Sequence, residues 1–221
     1  VKTVLAIAAC GPRLEVALAP RTGGAAGMVA LAGPTPRSEL VMAGVDLLLR
    51  AAGLEPSQIE GVVASRGPGS FTGVRVALAT AQGLSLALGI PAHGYSSLLA
   101  QAARSDAAEC LAVQPARRGT VYAQPFARRG GRPEPLAAPT VVALADLATG
   151  GLAAAAPPGV ALPPGVPLAA MQRSTTEALF ELLDREPHPD ASTLTPLYLE
   201  PPPAQLPTGA APPCPPSQKA S

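Results

Sequence analysis

SRGPGSFTGVR, residues Ser65–Arg75, is the stretch on which the reading of this chain turns. It follows an apolar run, Ile59 to Ala64, and leads into a helix of small residues that runs to Leu88. Glycine at 67, 69 and 73 with proline at 68 suits a sharp strand-to-helix elbow, since glycine tolerates unusual dihedrals and proline holds one. Backbone amides at such an elbow also suit a phosphate, which makes Gly67, Gly69, Ser70, Thr72 and Gly73 a candidate phosphate-facing loop. The stretch is not a P-loop, because no Lys-Ser/Thr follows the glycines, and it is not GxGxxG. Nor is it the GxSxG elbow of hydrolases. From Gly61 to Ser105 there is no Asp or Glu, so this segment brings neither a general base nor a carboxylate for magnesium. We therefore expect a protein that binds and positions, with no catalytic residue to name.

Working outward, Thr3 to Ala8, Leu14 to Ala19 and Met28 to Ala32 read as a meander of three strands. A helix is expected from Ser38, with Ser38 as N-cap, Glu39 in the first turn and Gly53 as the stop. The helix over Val74–Leu88 is apolar almost all round. Its small residues fall in two stripes four residues apart, Gly73/Ala77/Ala81/Ser85 and Ala79/Gly83/Ala87. Such a stripe lets another helix approach closely, either inside the fold or from a partner. Ile90 to Tyr95 reads as a short strand, with Ser96 capping a helix over Ser97–Ala103. Strands are expected at Leu111–Val113, Val121–Phe126 and Thr140–Ala143, and an amphipathic helix over Thr175–Arg185 with Leu179, Leu182 and Leu183 inward. The order of strands and helices predicts an α/β lobe built on an antiparallel meander over residues 1–103, and a smaller lobe over 104–200. Residues 201–221 hold eight prolines and little to bury, and read as a disordered tail.

Composition narrows the function. The chain has 221 residues, 48% hydrophobic and 14% charged, enough for a substantial core. A net charge of +1 gives no global field toward nucleic acid or membrane, and 3% aromatics with no Trp offers little for stacking bases. Arg117, Arg118, Arg128, Arg129 and Arg132 cluster locally, with no acid between Glu109 and Glu134; they read as a solvated basic hairpin, or as a contact for RNA or an acidic partner. Cys10, Cys110 and Cys214 are odd in number and far apart, so no disulfide framework follows. His93 and His188 have no metal-ligand spacing, and no metal site is expected. The opening VKTVLAIAAC does not read as a signal peptide, and the apolar run over Val74–Leu88 is short for a membrane span. The expectation is a cytoplasmic chain without a membrane.

The Ser65–Arg75 run, followed by ATAQGLSLALGIP and GYSSL, closely resembles the TsaB family, formerly YeaZ. PRSELVMAGVDLLLRAAGL upstream is similar to the family's first helix. Ala116-Arg117-Arg118-Gly119 with Val121-Tyr122 resembles a strand pair of its second lobe, and Pro196-Leu197-Tyr198-Leu199 its closing motif. The resemblance covers about residues 1–200 and is densest over 38–99.

It implies a two-lobed actin-like fold, of the ASKHA and ribonuclease H-like type. The implied function is that of a non-catalytic dimerisation or scaffold subunit of the complex that installs threonylcarbamoyl on adenosine 37 of tRNA. The implied partners are a TsaD-like catalytic subunit, a TsaE-like ATPase, tRNA through the complex, and a second copy as a homodimer. No intrinsic cofactor is implied, with ATP or ADP at the complex interface at most. The family's dimerisation helices fall on Ser38–Ala52 and Val74–Leu88. The interface residues expected from them are Leu40, Val41, Gly44, Leu47, Leu48, Ala77, Ala81, Gly83, Leu84, Ser85 and Leu88. Ala8-Ala9-Cys10, Arg37 and Pro115 stand where the family usually has Asp-Thr-Ser, His and Asp, which removes polar groups from the cleft. The competing reading is an actin-like, ATP-dependent enzyme (kinase or ATPase) acting on a small substrate.

Overall fold

The computed structural model describes residues 3–20, 27–185 and 194–200. The expected tail over 201–221, Cys214 and most of the glycine-rich 22–27 segment lie outside them.

Strand β1 (Thr3–Ala8) is buried along its whole length, and its side chains alternate between two cores. Leu5 and Ile7 face one cluster and Val4, Ala6 and Ala8 the other. This double burial explains why the strand reads as an unbroken apolar run. β2 (Leu14–Pro20) and β3 (Gly27–Leu31) continue it as an antiparallel meander, with Leu5 opposite Leu18 and Val16 opposite Val29. On its other side β1 pairs in parallel with β4 (Ile59–Ser65), which pairs in parallel with β5 (Ala92–Tyr95). The sheet order is β3-β2-β1-β4-β5.

Helices α1 (Arg37–Ala52) and α2 (Phe71–Leu88) cover the Leu5/Ile7 face. α1 starts one residue before the expected Ser38. Pro36 occupies the N-cap position and no side chain caps the helix, so Ser38 lies within the first turn. The stop at Gly53 is as expected: φ is 65°, and Gly53 N and Leu54 N donate to Arg50 O and Leu49 O at 3.1 and 2.9 Å. α2 starts at Phe71, three residues earlier than the apolar pattern suggests, because Ser70 Oγ accepts from Gly73 N at 3.2 Å. At 18 residues α2 is long and apolar enough, by length and composition, to cross a membrane, which corrects the shorter reading; here one side of it packs on the sheet.

The second sheet has the order β10-β6-β7-β8, with β9 also on β7. Its strands are β6 (Glu109–Pro115), β7 (Thr120–Arg129), β8 (Arg132–Pro135), β9 (Thr140–Ala143) and β10 (Ala153–Ala155). α3 (Ser97–Ala103) joins the halves: Ala100 and Ala103 pack in the Val4/Ala6 cluster, and Leu98 and Ala102 in one with Cys110 and Phe126. α4 (Thr175–Arg185) returns to the first sheet, placing Ala178, Leu179 and Leu182 against Val4, Ala6 and Val63. A division at residue 103/104 therefore describes the sheets and not the packing of α4. The whole is the two-lobed actin-like, ribonuclease H-like α/β architecture, a meander extended by parallel strands with helices on both faces.

Candidate functional site: a two-helix face and the cleft beside it

α1 and α2 lie side by side on the sheet, and burial sorts their residues by direction. Val41, Gly44 and Leu48 of α1, with Ala77 and Ala81 of α2, are buried against the strands. These five expected interface residues belong to the chain's own core, because the stripe Gly73/Ala77/Ala81 is the one that lets α2 sit close to its sheet. Leu40, Leu84, Ser85 and Leu88 are half-buried at the edge, and Ser85 Oγ is used to bond Ile90 O at 2.5 Å.

Outward point Met42 (49% exposed) and Leu47 (57%) from α1, and Leu86 (87%) from α2. The second stripe, Ala79, Gly83 and Ala87, is exposed along its length. A carbon added at Gly83 would meet nothing within 4 Å. Of the expected interface residues, Leu47 and Gly83 face solvent outright. Met42, Ala79, Leu86 and Ala87, exposed on the same two helices, are not among the expected residues, although the Ala79/Gly83/Ala87 spacing was visible as the second of two stripes.

The elbow before α2 resolves differently from a phosphate cradle. A carbon added at Gly73 would lie 1.9 Å from Ala9 O, one at Gly69 2.4 Å from Cys10 O, and one at Gly67 2.6 Å from Leu197 O. These glycines are required by the protein's own backbone, with Ser70 N donating to Cys10 O at 2.9 Å. Ser70 Oγ caps the helix, and Thr72 is exposed beside a groove of about 210 Å³ lined also by Leu31, Pro36, Arg37 and Leu40.

A cavity of about 270 Å³ opens between the two sheets, beside the elbow. Arg37 reaches it from α1, with Nη2 donating to Gly11 O at 2.7 Å; burial pulls its pKa down. Pro115, Ala116 and Arg117 line it from the β6–β7 turn. Its mouth is crossed by Leu197–Glu200, which no local pattern had marked as part of a site. Leu197 N donates to Arg66 O at 2.8 Å, Tyr198 stacks at 5.2 Å on Phe71, and Phe71 lies beneath the Arg75 guanidinium at 3.9 Å. Across the cavity Tyr122 Oη donates to Glu200 Oε2 at 2.7 Å. Burial first, then the bond to Glu200, pushes the Tyr122 pKa up to about 12. The segment thus ties α2 to the second sheet, and the carboxylate in the cavity is one that sequence spacing could not bring there.

Ala8 and Ala9 are buried, and Ala9 N donates to Ser65 Oγ at 3.2 Å. Cys10 is buried beside the same hydroxyl, and burial pushes its thiol pKa up. The basic hairpin is partly neutralised within the fold: Arg128 faces Glu181 and Arg129 faces Glu134, each at 3.7 Å. Among the described residues no three His, Cys, Asp or Glu side chains come together.

Residues 35–175 match the family model described as "TsaD: tRNA N6-adenosine threonylcarbamoyltransferase". The chain is 36% identical over 93 residues to the tRNA threonylcarbamoyladenosine biosynthesis protein TsaB of Escherichia coli; the match spans 40% of each chain, so this chain spans well under half the length of that relative. It is 34% identical over 158 residues to an uncharacterized protein of Mycobacterium tuberculosis, covering 71% of this chain and 72% of that one. Among solved structures, YeaZ from Pseudomonas aeruginosa superposes with a TM-score of 0.70 over 90% of this chain and 100% of that one, at 24% identity. That likeness speaks to the fold.

Proposed function

The chain belongs to the TsaB (YeaZ) family, and from that premise we propose that it serves tRNA threonylcarbamoyladenosine biosynthesis as a non-catalytic scaffold subunit. In this reading it grips a TsaD-like catalytic subunit through the outward face of α1 and α2. A TsaE-like ATPase and the tRNA join through that complex, and in the absence of the catalytic subunit two copies of the chain pair through the same face.

The observation that carries the proposal is the exposed apolar strip of Met42, Leu47 and Leu86 around the small residues Ala79, Gly83 and Ala87. Large side chains at its edges supply area worth about 25 cal/mol per Å² removed from water. Small residues along its centre let a facing helix approach at backbone distance. Arg75 is the one charged residue on α2; it is exposed, lies over Phe71 and stands one turn before Ala79 on the same row, while on α1 the exposed Asp46–Arg50 ion pair adjoins Leu47, so charge sits at the margins of the strip.

The chemistry belongs to the partner in this proposal. The cleft's carboxylate, Glu200, is engaged by Tyr122, and Glu15 accepts from the first amides of α4, Thr175 N and Thr176 N, at 2.8 and 3.4 Å. The test is to deplete the protein, analyse the tRNA nucleosides, and complement with wild type or Gly83→Arg. Wild type is expected to restore threonylcarbamoyladenosine and Gly83→Arg to fail while remaining folded. Steady ATP turnover by the isolated wild-type chain would instead favour the actin-like enzyme reading.

A further inference from the structure

Between α3 and the end of β6, beside the β1–β2 turn, lies a cavity of about 20 Å³. That is room for a water molecule and little more. Its walls are polar at depth: Ser65, Ser97, Gln101, Arg104 and Gln114 line it and are each less than 9% exposed. Part of this polarity is bonded within the protein. Ser65 Oγ meets the Cys10 thiol at 3.1 Å. Arg104 donates through Nη1 to Gln101 Oε1 at 3.0 Å and through Nε to Arg173 O at 2.9 Å.

The remainder is not. Gln101 Nε2 and Gln114 Oε1 are buried without a hydrogen-bond partner within the protein, while the Ser97 hydroxyl, equally buried, has the Cys10 thiol as a neighbour. Because Arg104 holds the oxygen of Gln101, the orientation of that amide is settled and its nitrogen is a donor only. Gln114 offers an acceptor, and the Ser97 hydroxyl either role. A donor, an acceptor and a hydroxyl thus surround the space of one small molecule, and buried polar groups in native proteins are nearly always satisfied.

We infer that this cavity is a binding site for a single water, which accepts from Gln101 Nε2, donates to Gln114 Oε1 and completes its shell with Ser97 Oγ. The chemistry of the walls selects the ligand. A cation would meet the Arg104 and Arg13 guanidinium groups, and an anion would meet Gln114 Oε1 and the Glu15 carboxylate. An apolar group would leave Gln101 Nε2 and Gln114 Oε1 unsatisfied. Water both gives and accepts, and with Ser97 and Gln101 on α3 and Gln114 on β6 it ties the connecting helix to the second sheet.

High-resolution diffraction from the full chain is expected to place a density peak within hydrogen-bond distance of Gln101 Nε2 and Gln114 Oε1. NMR relaxation dispersion of the solvent is expected to count one fewer long-lived water in Gln114→Met than in wild type. In a thermal cycle, Gln101→Met and Gln114→Met should each lower the Tm, and the double variant by less than their sum, the shortfall being about 2–4 °C. Density showing Gln101 Nε2 bonded directly to Gln114 Oε1, or no peak between them, overturns the inference. An unchanged count of long-lived waters in Gln114→Met does the same. Should the methionine variants not fold, diffraction from the wild type still decides.

Discussion

Gly73 and Gly83 stand on one helix, and their surroundings are opposite. A carbon added at Gly73 would be driven into Ala9 O at 1.9 Å, whereas one added at Gly83 would meet open space. The same contrast runs along α2. Ala77 and Ala81 are fully buried against the sheet, while Ala79 and Ala87 are exposed. Small residues four apart therefore occur here in two settings, one packed and one open. The inner stripe brings the helix down onto its own strands; in the proposed function the outer stripe does the same for a partner.

The largest effect should come from breaking the inner side. Gly73→Ala forces either α2 or the end of β1 to move, and a loss of at least about 3 kcal/mol is expected, enough to abolish cooperative folding in a marginal domain. Thermal denaturation measures it; a Tm near that of wild type would mean the close approach is relaxed in solution. The outer side predicts the reverse profile. Leu86→Asp should leave the Tm within the range of surface substitutions, about ±0.5 kcal/mol, yet weaken binding to a TsaD-like subunit by about tenfold or more. Equal affinity by titration calorimetry would remove Leu86 from the interface. Gly83→Ala sharpens the contrast further. It should stabilise the isolated chain by about 0.5–1 kcal/mol, since nothing blocks the methyl and alanine favours helix.

Two sites away from both stripes serve as controls. Tyr122→Phe removes the bond to Glu200 and should cost about 1 kcal/mol, with faster amide exchange in Leu197–Glu200 and no change in Gly83-dependent binding. The Tyr122 pKa is raised from 10.0 to about 12, so its contribution is complete below pH 10 and is lost as pH rises through about 12. The smallest effect belongs to Glu177. Its carboxylate accepts from Ser174 N at 2.7 Å and Ser174 Oγ accepts from Glu177 N at 3.1 Å, a capping box on α4. The bond from Ser174 N holds the Glu177 pKa below its usual 4.5. Its stabilisation is therefore present above pH 4.5 and fades as pH falls through the lower folded value. Glu177→Ala should show a smaller drop in Tm on acidification than wild type.

Some of this was legible in the residues. The strand runs Thr3–Ala8 and Ile59–Ala64 announced themselves because burial on both faces leaves little polar alternation to confuse, Glu60 being the one exposed residue of the second, which extends to Ser65. Gly53 ended α1 as expected, and the limits of α4 were read correctly. α2 was legible as a helix, but its start was not, because the cap at Ser70 depends on a loop held by Cys10 O. The glycines of that loop looked like ligand-binding positions for the same reason: a local motif does not reveal what backbone will lie against it.

By itself the sequence determined the α/β class, the places of most elements and the presence of two small-residue stripes, because these follow from local propensity and periodicity; the family likeness came from the resemblance of its motifs. Only the tertiary structure decided which stripe faces inward, since both satisfy the same helical spacing and the choice is made by the sheet beneath. It alone brought Glu200 to Tyr122, and Gln114 and Gln101 to the walls of one cavity, because such interactions are short-ranged in space and indifferent to distance along the chain.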